Sequence, residues 1–374
     1  MIPKKPADQD EKRGTRTGFT TGACAGAAAK AATRCLARDT LLSQIETTLP
    51  NRQKVIFQLK RCERQGDEAI ASIIKDAGDD PDCTHGAEII VTVSLKKEEG
   101  VELLNGPGVG VVTKPGLGLP VGGPSITPAP RKNITEMVLE ELRFPGCEFH
   151  GAKVIISVPG GEEMAKKTTN ARLGIIGGIS ILGTSGIVKP YSTAAYMASV
   201  VQAVDVAYEQ GSRELVLTTG GKSEQYAMQL FPKLTEEAFI QVGDFIGAGL
   251  RSCAKKGVPT VRIVGMMGKL SKMANGKMQT HQAGSQVNTE LLAKFAKEAG
   301  ASDSLVEQIR VANTARHVLE LAASENIHNL PSIICREVCK VAENHIQNKA
   351  KIYTHLVDFD GKLLGEFPTK RSEQ

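Results

Sequence analysis

The sequence predicts a two-domain chain, an α+β domain followed by an α/β domain, and three observations carry that prediction. The chain has 374 residues, beyond the comfortable size of one hydrophobic core. Its first half mixes one strong helix with short strands and a long Gly/Pro segment. After Pro190, strands alternate with helices, and each strand ends in a glycine-containing loop. The expected layout is a disordered tail (1–14), an α+β domain with a mixed sheet (15–168), an α/β domain with a mainly parallel sheet (169–350), and a C-terminal hairpin and tail (351–374). No G-x-G-x-x-G opens a helix, so the second domain is not a standard Rossmann fold.

Composition narrows the function classes. The hydrophobic fraction of 41% is that of a globular protein. Trp is absent and aromatics make 4%, which disfavours a base-stacking nucleic-acid binder. The net charge of +5 is spread along the chain and suits an anionic small-molecule substrate better than a nucleic acid. The eight cysteines form no C-x-x-C pair, and Cys335 and Cys339 fall on one face of a helical pattern. No apolar run approaches membrane-spanning length. The expectation is a reduced, cytoplasmic protein with no metal site, no membrane partner and room for homo-oligomerisation.

From the N-terminus, Ala23–Ala37 is an alanine-rich helix pattern with Thr20, Thr21 and Gly22 at its cap positions. Its N-terminus is either an ordinary cap or an anion site. Val55–Arg61 and Ala69–Lys75 read as a hairpin, and Ala87–Leu95 as a strand. Between them, Asp79, Asp80 and Asp82 lack EF-hand spacing. Val109–Thr113 is a short strand within the long loop Asn105–Pro130, Arg131–Leu142 a helix, and Lys153–Val158 a strand. Beyond Pro190 come helices at Ser192–Gln210, Ser223–Leu230 and Phe245–Lys256. They alternate with strands at Glu214–Thr218, Ala238–Val242 and Thr260–Val264. The strand-end loops TTGGK, GDF and GMMGK should share one crevice, because open α/β sheets bind ligands outside the carboxyl ends of their strands. Lys272–Gln286 is a polar loop, four helices follow between Val287 and Asn348, and residues 351–367 form a hairpin around a DG turn.

The stretch Leu173–Pro190, LGIIGGISILGTSGIVKP, sets five glycines among branched aliphatics. Such a pattern marks close approach of backbone to another chain segment or to a ligand. Both readings stand on the sequence alone.

Several segments in order resemble the cobalt-precorrin-5B C1-methyltransferase family of anaerobic cobalamin biosynthesis. They are RTGFTTGACAGAAAKAA, DDPDCTHGAEI, GPGVGVVTKPGLGLPVGGPSITPAPRKNI, SVPGGEEMAKKTTNARLGIIGGISILGTSGIVKP, GDFIGAGL and MGKLSKMANGKMQTH, spanning Arg16 to His281. The resemblance implies an S-adenosylmethionine-dependent C-methyltransferase that converts cobalt-precorrin-5B to cobalt-precorrin-6A and S-adenosylhomocysteine, cobalt entering only as part of the anionic corrinoid substrate. It implies cofactor contact at Gly174, Gly177, Gly178, Thr184 and Gly186, joined by Gly220 and Gly221 of the shared crevice. Thr20, Thr21, Lys30, Lys114, Arg131, Arg172 and Lys269 are candidates for the substrate's carboxylates, and His281 for proton handling. The chain departs from the family pattern at Asp244-Phe245, where the family often has Asn-Phe, at Met266, where it usually has His, and at QAGSQVN after His281. Two other classes stay open: a non-catalytic tetrapyrrole-binding protein, and a small-molecule kinase binding a nucleotide phosphate at the Thr-Thr-Gly helix.

Overall fold

The structure is a computed structural model and describes residues 14–281 and 286–369. The expected disordered tail lies almost wholly outside the described residues, as do residues 370–374 and most of QAGSQVN. The chain divides into two compact units, Met1–Ser192 and Thr193–Gln374.

Unit 1 begins with β1 (Gly18–Phe19) and α1 (Thr21–Arg38), followed by β2 (Gln44–Thr48), β3 (Lys54–Gln58), β4 (Arg61–Gln65) and β5 (Glu68–Ile74). Then come β6 (Glu88–Lys96), β7 (Gly100–Asn105), β8 (Gly108–Val109), β9 (Val111–Val112) and α2 (Pro128–Leu142). It closes with β10 (Gly151–Ser157), α3 (Gly161–Ala165), β11 (Ile175–Ile176), β12 (Gly178–Ile179) and β13 (Ile187–Val188). Its main sheet has the order β4-β5-β6-β10-β7 and is mixed: β10 runs antiparallel to β6 and parallel to β7. Helix α1 is buried along almost its whole length, which only a chain of alanines, glycines and cysteines permits, and packs on β5, β6 and α2. Thr20 caps it, its Oγ1 accepting from Ala23 N at 3.2 Å.

The expected hairpin of Val55–Arg61 with Ala69–Lys75 is corrected. Residues 54–58 pair with β2, and β5 pairs with β4 instead. The chain changes partners at Leu59 and Lys60: Leu59 N donates to Ser43 O, and Lys60 N to Ser72 O. A single apolar run read as one strand is therefore two.

The glycine-rich stretch belongs to unit 1 rather than opening the second domain as expected at residue 169. Its pieces pair with earlier strands: β11 with β9, β12 with β8, and β13 with β1. Gly178 lies opposite Gly108, where a Cβ would collide with the Gly108 backbone. The aliphatics Ile175, Ile179 and Ile181 are buried in the unit's interior.

Unit 2 opens with α4 (Thr193–Glu209), β14 (Glu214–Thr218), α5 (Gly221–Leu230), β15 (Phe239–Gln241), α6 (Ile246–Lys256) and β16 (Thr260–Gly265). It continues through α7 (Met267–Ala274), α8 (Thr289–Glu298), α9 (Asp303–Arg310), α10 (Ala315–Ser324) and α11 (Leu330–His345) to β17 (Lys351–Val357) and β18 (Leu363–Phe367). The sheet order is β15-β14-β16-β17-β18, parallel except for β18. The C-terminal hairpin thus supplies the fourth parallel strand of this unit, a role its DG turn alone did not reveal. Both faces are covered. Leu215 and Leu217 of β14 point into the large core with α4, α6 and α11, while Val216 packs with Ala227 of α5. Period-two alternation along β14 makes that division. Cys335 and Cys339 share the buried face of α11, their thiols donating to Gly365 O at 3.4 Å and Phe367 O at 3.4 Å.

Candidate active site

The carboxyl ends of β14, β15, β16 and β17 all lie along one edge of the unit 2 sheet, since these strands are parallel. Their loops wall a crevice of about 1270 Å³. Thr219–Ser223 come from the end of β14, Asp244 from the end of β15, Met266–Lys269 from the end of β16, and Val357–Asp360 from the end of β17. Thr280, His281 and the first turn of α10 complete it. The sharing of one crevice by TTGGK, GDF and GMMGK is as the sequence predicts; the contribution of β17 was missed.

Two helix N-termini open into this crevice. Neither α5, with Gly220 at its cap, nor α7, with Met266, carries a side-chain cap, so first-turn N–H groups are not spent on a side chain. Helix α7 replaces the loop expected from the sequence, its short amphipathic pattern being hidden by the glycines around it. At Gly220, Gly221 and Gly268 a Cβ would meet nothing within 4 Å, so bare backbone lines the wall there.

Lys269 ties three of these loops together. From α7 its Nζ donates to Thr219 O at 2.6 Å and lies 3.1 Å from Asp244 Oδ1. The same Oδ1 accepts from Thr280 Oγ1 at 2.9 Å, and Lys272 Nζ donates to Thr280 O at 3.1 Å. Burial pushes the Asp244 carboxyl up. The hydrogen bonds from Lys269 and Thr280 and the nearby His281 outweigh it, and the net position is below the ordinary carboxylate range. Asp244 is therefore ionised at neutral pH.

Of the residues singled out in the sequence, Gly220, Gly221, Lys269 and His281 meet in this crevice. The others belong to unit 1 and none lines it. Thr20 is the α1 cap. Thr21 Oγ1 donates to Ser180 O at 3.2 Å and accepts from Leu182 N at 2.9 Å, stitching α1 to the glycine-rich stretch. Gly22 N donates to Leu182 O at 3.0 Å. The N-terminus of α1 is thus closed by protein and buried, which favours the ordinary cap of the two readings the sequence leaves open. Lys30 is 5% exposed and pairs with Glu140 at 2.9 Å, so its charge is satisfied internally. Lys114 packs where a Cβ on Gly174 would go. Arg131 is half-buried on α2, and Arg172 is half-buried just before the stretch. Gly186 sits against Leu49 and Pro50. Thr184 is exposed and lines a smaller pocket of about 510 Å³ with Arg52, Lys132, Asn133 and Arg143. Gly177 is exposed, with open space where a Cβ would point.

The acidic loop is a clasp. Asp79 Oδ2 accepts from Arg16 N at 2.7 Å and Asp80 Oδ1 from Tyr191 N at 3.0 Å. Asp82 Oδ2 accepts from the buried Lys75 Nζ at 2.6 Å.

A doubly wound, mainly parallel sheet with a crevice at its strand ends is the architecture of an α/β ligand-binding unit, here carried on the same chain as a mixed-sheet α+β unit. Residues 8–190 match the family described as CbiD, and residues 279–368 match CbiD, C-terminal domain. The chain is 56% identical over 351 residues to the cobalt-precorrin-5B C(1)-methyltransferase of Leptospira interrogans serogroup Icterohaemorrhagiae serovar copenhageni, covering 94% of this chain and 95% of that one. It is 50% identical over 363 residues to the protein of that name from Rubrobacter xylanophilus, with 96% and 93% covered. For the Geobacillus kaustophilus protein of that name the identity is 48% over 357 residues, with 96% of each chain covered. A crystal structure of a cobalamin biosynthesis protein (cbiD) from Archaeoglobus fulgidus is 30% identical, with a TM-score of 0.38 over 70% of this chain and 80% of that one. The chain belongs to the CbiD family.

Proposed function

We propose that this protein transfers a methyl group from S-adenosylmethionine to C1 of cobalt-precorrin-5B, giving cobalt-precorrin-6A and S-adenosylhomocysteine in anaerobic cobalamin biosynthesis. The observation that carries the reading is the near-complete match, 56% identity across 94% of this chain and 95% of a relative bearing that name.

The unit 2 crevice supports it physically. At about 1270 Å³ it exceeds the usual 300–1,000 Å³ of a small-molecule site, leaving room for a donor and part of a larger acceptor. The donor supplies the methyl group. The chain's own contribution is to bind, orient and exclude water, which is how alignment lowers such a barrier. Bare backbone at Gly220, Gly221 and Gly268 lets a ligand approach closely, and the uncapped starts of α5 and α7 suit a carboxylate. Lys222, Lys272 and Arg316 on the crevice wall offer cations for the acceptor's acidic side arms. His281 lines the same wall and is our candidate for proton handling. Within unit 1, the exposed Gly177 and Thr184 are the positions of the glycine-rich stretch that we assign to ligand contact.

The test is anaerobic incubation with cobalt-precorrin-5B and S-adenosylmethionine. A product heavier by one methyl group, formed only with both present, is expected. Binding of the corrinoid with no mass gain would make the protein a tetrapyrrole carrier instead.

A further inference from the structure

The order of strands in unit 2 marks one place in the crevice for a particular part of the ligand. From β14 the chain crosses through α5 to β15 on one side, then returns through α6 to β16 on the other. Right-handed crossovers in opposite directions must use opposite faces of the sheet, and α5 and α6 do lie on opposite faces. The loops after β14 and β16 therefore diverge, and the gap between them is the topological switch point where open α/β sheets take their ligands. In the dinucleotide-binding form of such sheets, whose full glycine motif this chain lacks, a glycine-rich turn follows the first strand, and an acidic residue about 20 positions further on takes the ribose hydroxyls. Here the turn is Thr219-Gly220-Gly221, and Asp244 follows Gly221 by 23 positions (244 − 221), just past the end of β15.

We propose that Asp244 accepts hydrogen bonds from the ribose hydroxyls of an adenosyl ligand seated against the bare backbone of Gly220 and Gly221. Its carboxylate lines the crevice and is 27% exposed. Lys269 and Thr280 both bond its Oδ1, while a carboxylate offers about four acceptor sites. Those two bonds fix the rotamer so that the remaining lone pairs face a constant direction. The proposal rests on the methyl-donor reading above and adds to it the contact that recognises the sugar.

Calorimetric titration of the full chain with S-adenosylhomocysteine and with its 2′,3′-dideoxyribose analogue tests it. Wild type should bind the analogue about ten- to a hundredfold more weakly, the range of one charge-assisted hydrogen bond. In Asp244→Ala that discrimination should collapse to near one, and in Asp244→Asn, which keeps an acceptor for Lys269 and Thr280, it should fall between the two. A merely structural carboxylate would weaken both ligands alike. Equal affinities in wild type, or discrimination undiminished in both variants, overturns the assignment. Failure of wild type to bind S-adenosylhomocysteine at all would instead sink the methyl-donor reading on which it stands.

Discussion

The Lys269 ammonium sits 2.6 Å from the Thr219 carbonyl oxygen and 3.1 Å from Asp244 Oδ1, so one side chain sets the spacing of three strand-end loops. It had been expected to meet substrate carboxylates. Its hydrogen-bonding capacity is instead largely spent on the protein, and its effect on ligands passes through the loops it holds. Lys269→Met should therefore leave the sheet intact, cost about 1–2 kcal/mol after allowing for its partial exposure, and weaken S-adenosylhomocysteine roughly tenfold. Thermal melts and titration of the same sample check this. Unchanged binding with an unchanged melting temperature would show that the loops hold their places without it.

Glycines of the two units make opposite predictions. Gly178 and Gly108 bring two backbones together, so Gly178→Val must force β12 off β8 and should cost several kcal/mol, in the range of severe overpacking. Gly221→Ala adds a methyl group to open space in the crevice and should leave the melting temperature nearly unchanged while lowering S-adenosylhomocysteine affinity. Near-ultraviolet dichroism and binding, measured on both variants, separate the outcomes. A well-folded Gly178→Val protein would mean that the close approach can be relieved by sliding the strands.

The cationic face of α1 serves stability. Glu141 is 1% exposed and lies 2.6 Å from Arg34 Nη2, 3.5 Å from Arg38 Nη2 and 3.9 Å from Lys30 Nζ. Removing its charge takes the shared counter-ion from the part-exposed Arg34 and Arg38, while Lys30 keeps Glu140 at 2.9 Å, so Glu141→Gln should destabilise unit 1 by about 1–3 kcal/mol. Urea denaturation should show the loss, with no change in the KM for the corrinoid in the protein that remains folded. A change in KM at unaltered stability would return Lys30 and its neighbours to the substrate.

How much of this was legible follows from the range of the interactions. Local signals read well: the Thr20 cap, the alanine helix and the βα alternation after Pro190 each depend on neighbours in sequence. The crevice at the strand ends followed from that alternation alone. What the sequence hid was long-range pairing. Gly178 looks the same whether its Cβ position faces a ligand or the carbonyl of Gly108, and only the fold says which. Thr21 likewise reads as a second cap residue, yet it bonds to Ser180 and Leu182, far along the chain. Lys30 carried no sign that its partners would be Glu140 and Glu141 on α2. Asp244 departs from a pattern in the sequence, but its nearness to the Gly220-Gly221 turn follows only from the pairing of β15 with β14.

His355 gives the chain a stability that depends on pH in a definite direction. The imidazole lies on β17, 4% exposed, with Nδ1 3.3 Å from Glu366 Oε2 on β18, Nε2 3.5 Å from Arg262 Nη1 on β16, and the Phe231 ring in a T-shaped contact at 5.0 Å. Burial, and after it the Arg262 charge, holds its pKa down to about 4 from an ordinary 6.5. The folded protein therefore keeps a neutral ring, with Nδ1 beside Glu366 and Nε2 toward the Arg262 guanidinium. Between pH 6.5 and pH 4 the unfolded chain takes up a proton that the folded chain refuses, so stability falls as pH falls through that window. The contribution is complete above pH 6.5, and the loss by pH 4 is on the order of 3 kcal/mol. Glu366 can moderate it by pairing with the imidazolium. His355→Gln keeps a donor and an acceptor but does not titrate, so its stability should decline less between pH 7 and pH 5 than that of wild type. Parallel urea titrations at the two pH values give the difference, and identical declines would place the acid sensitivity elsewhere in the fold.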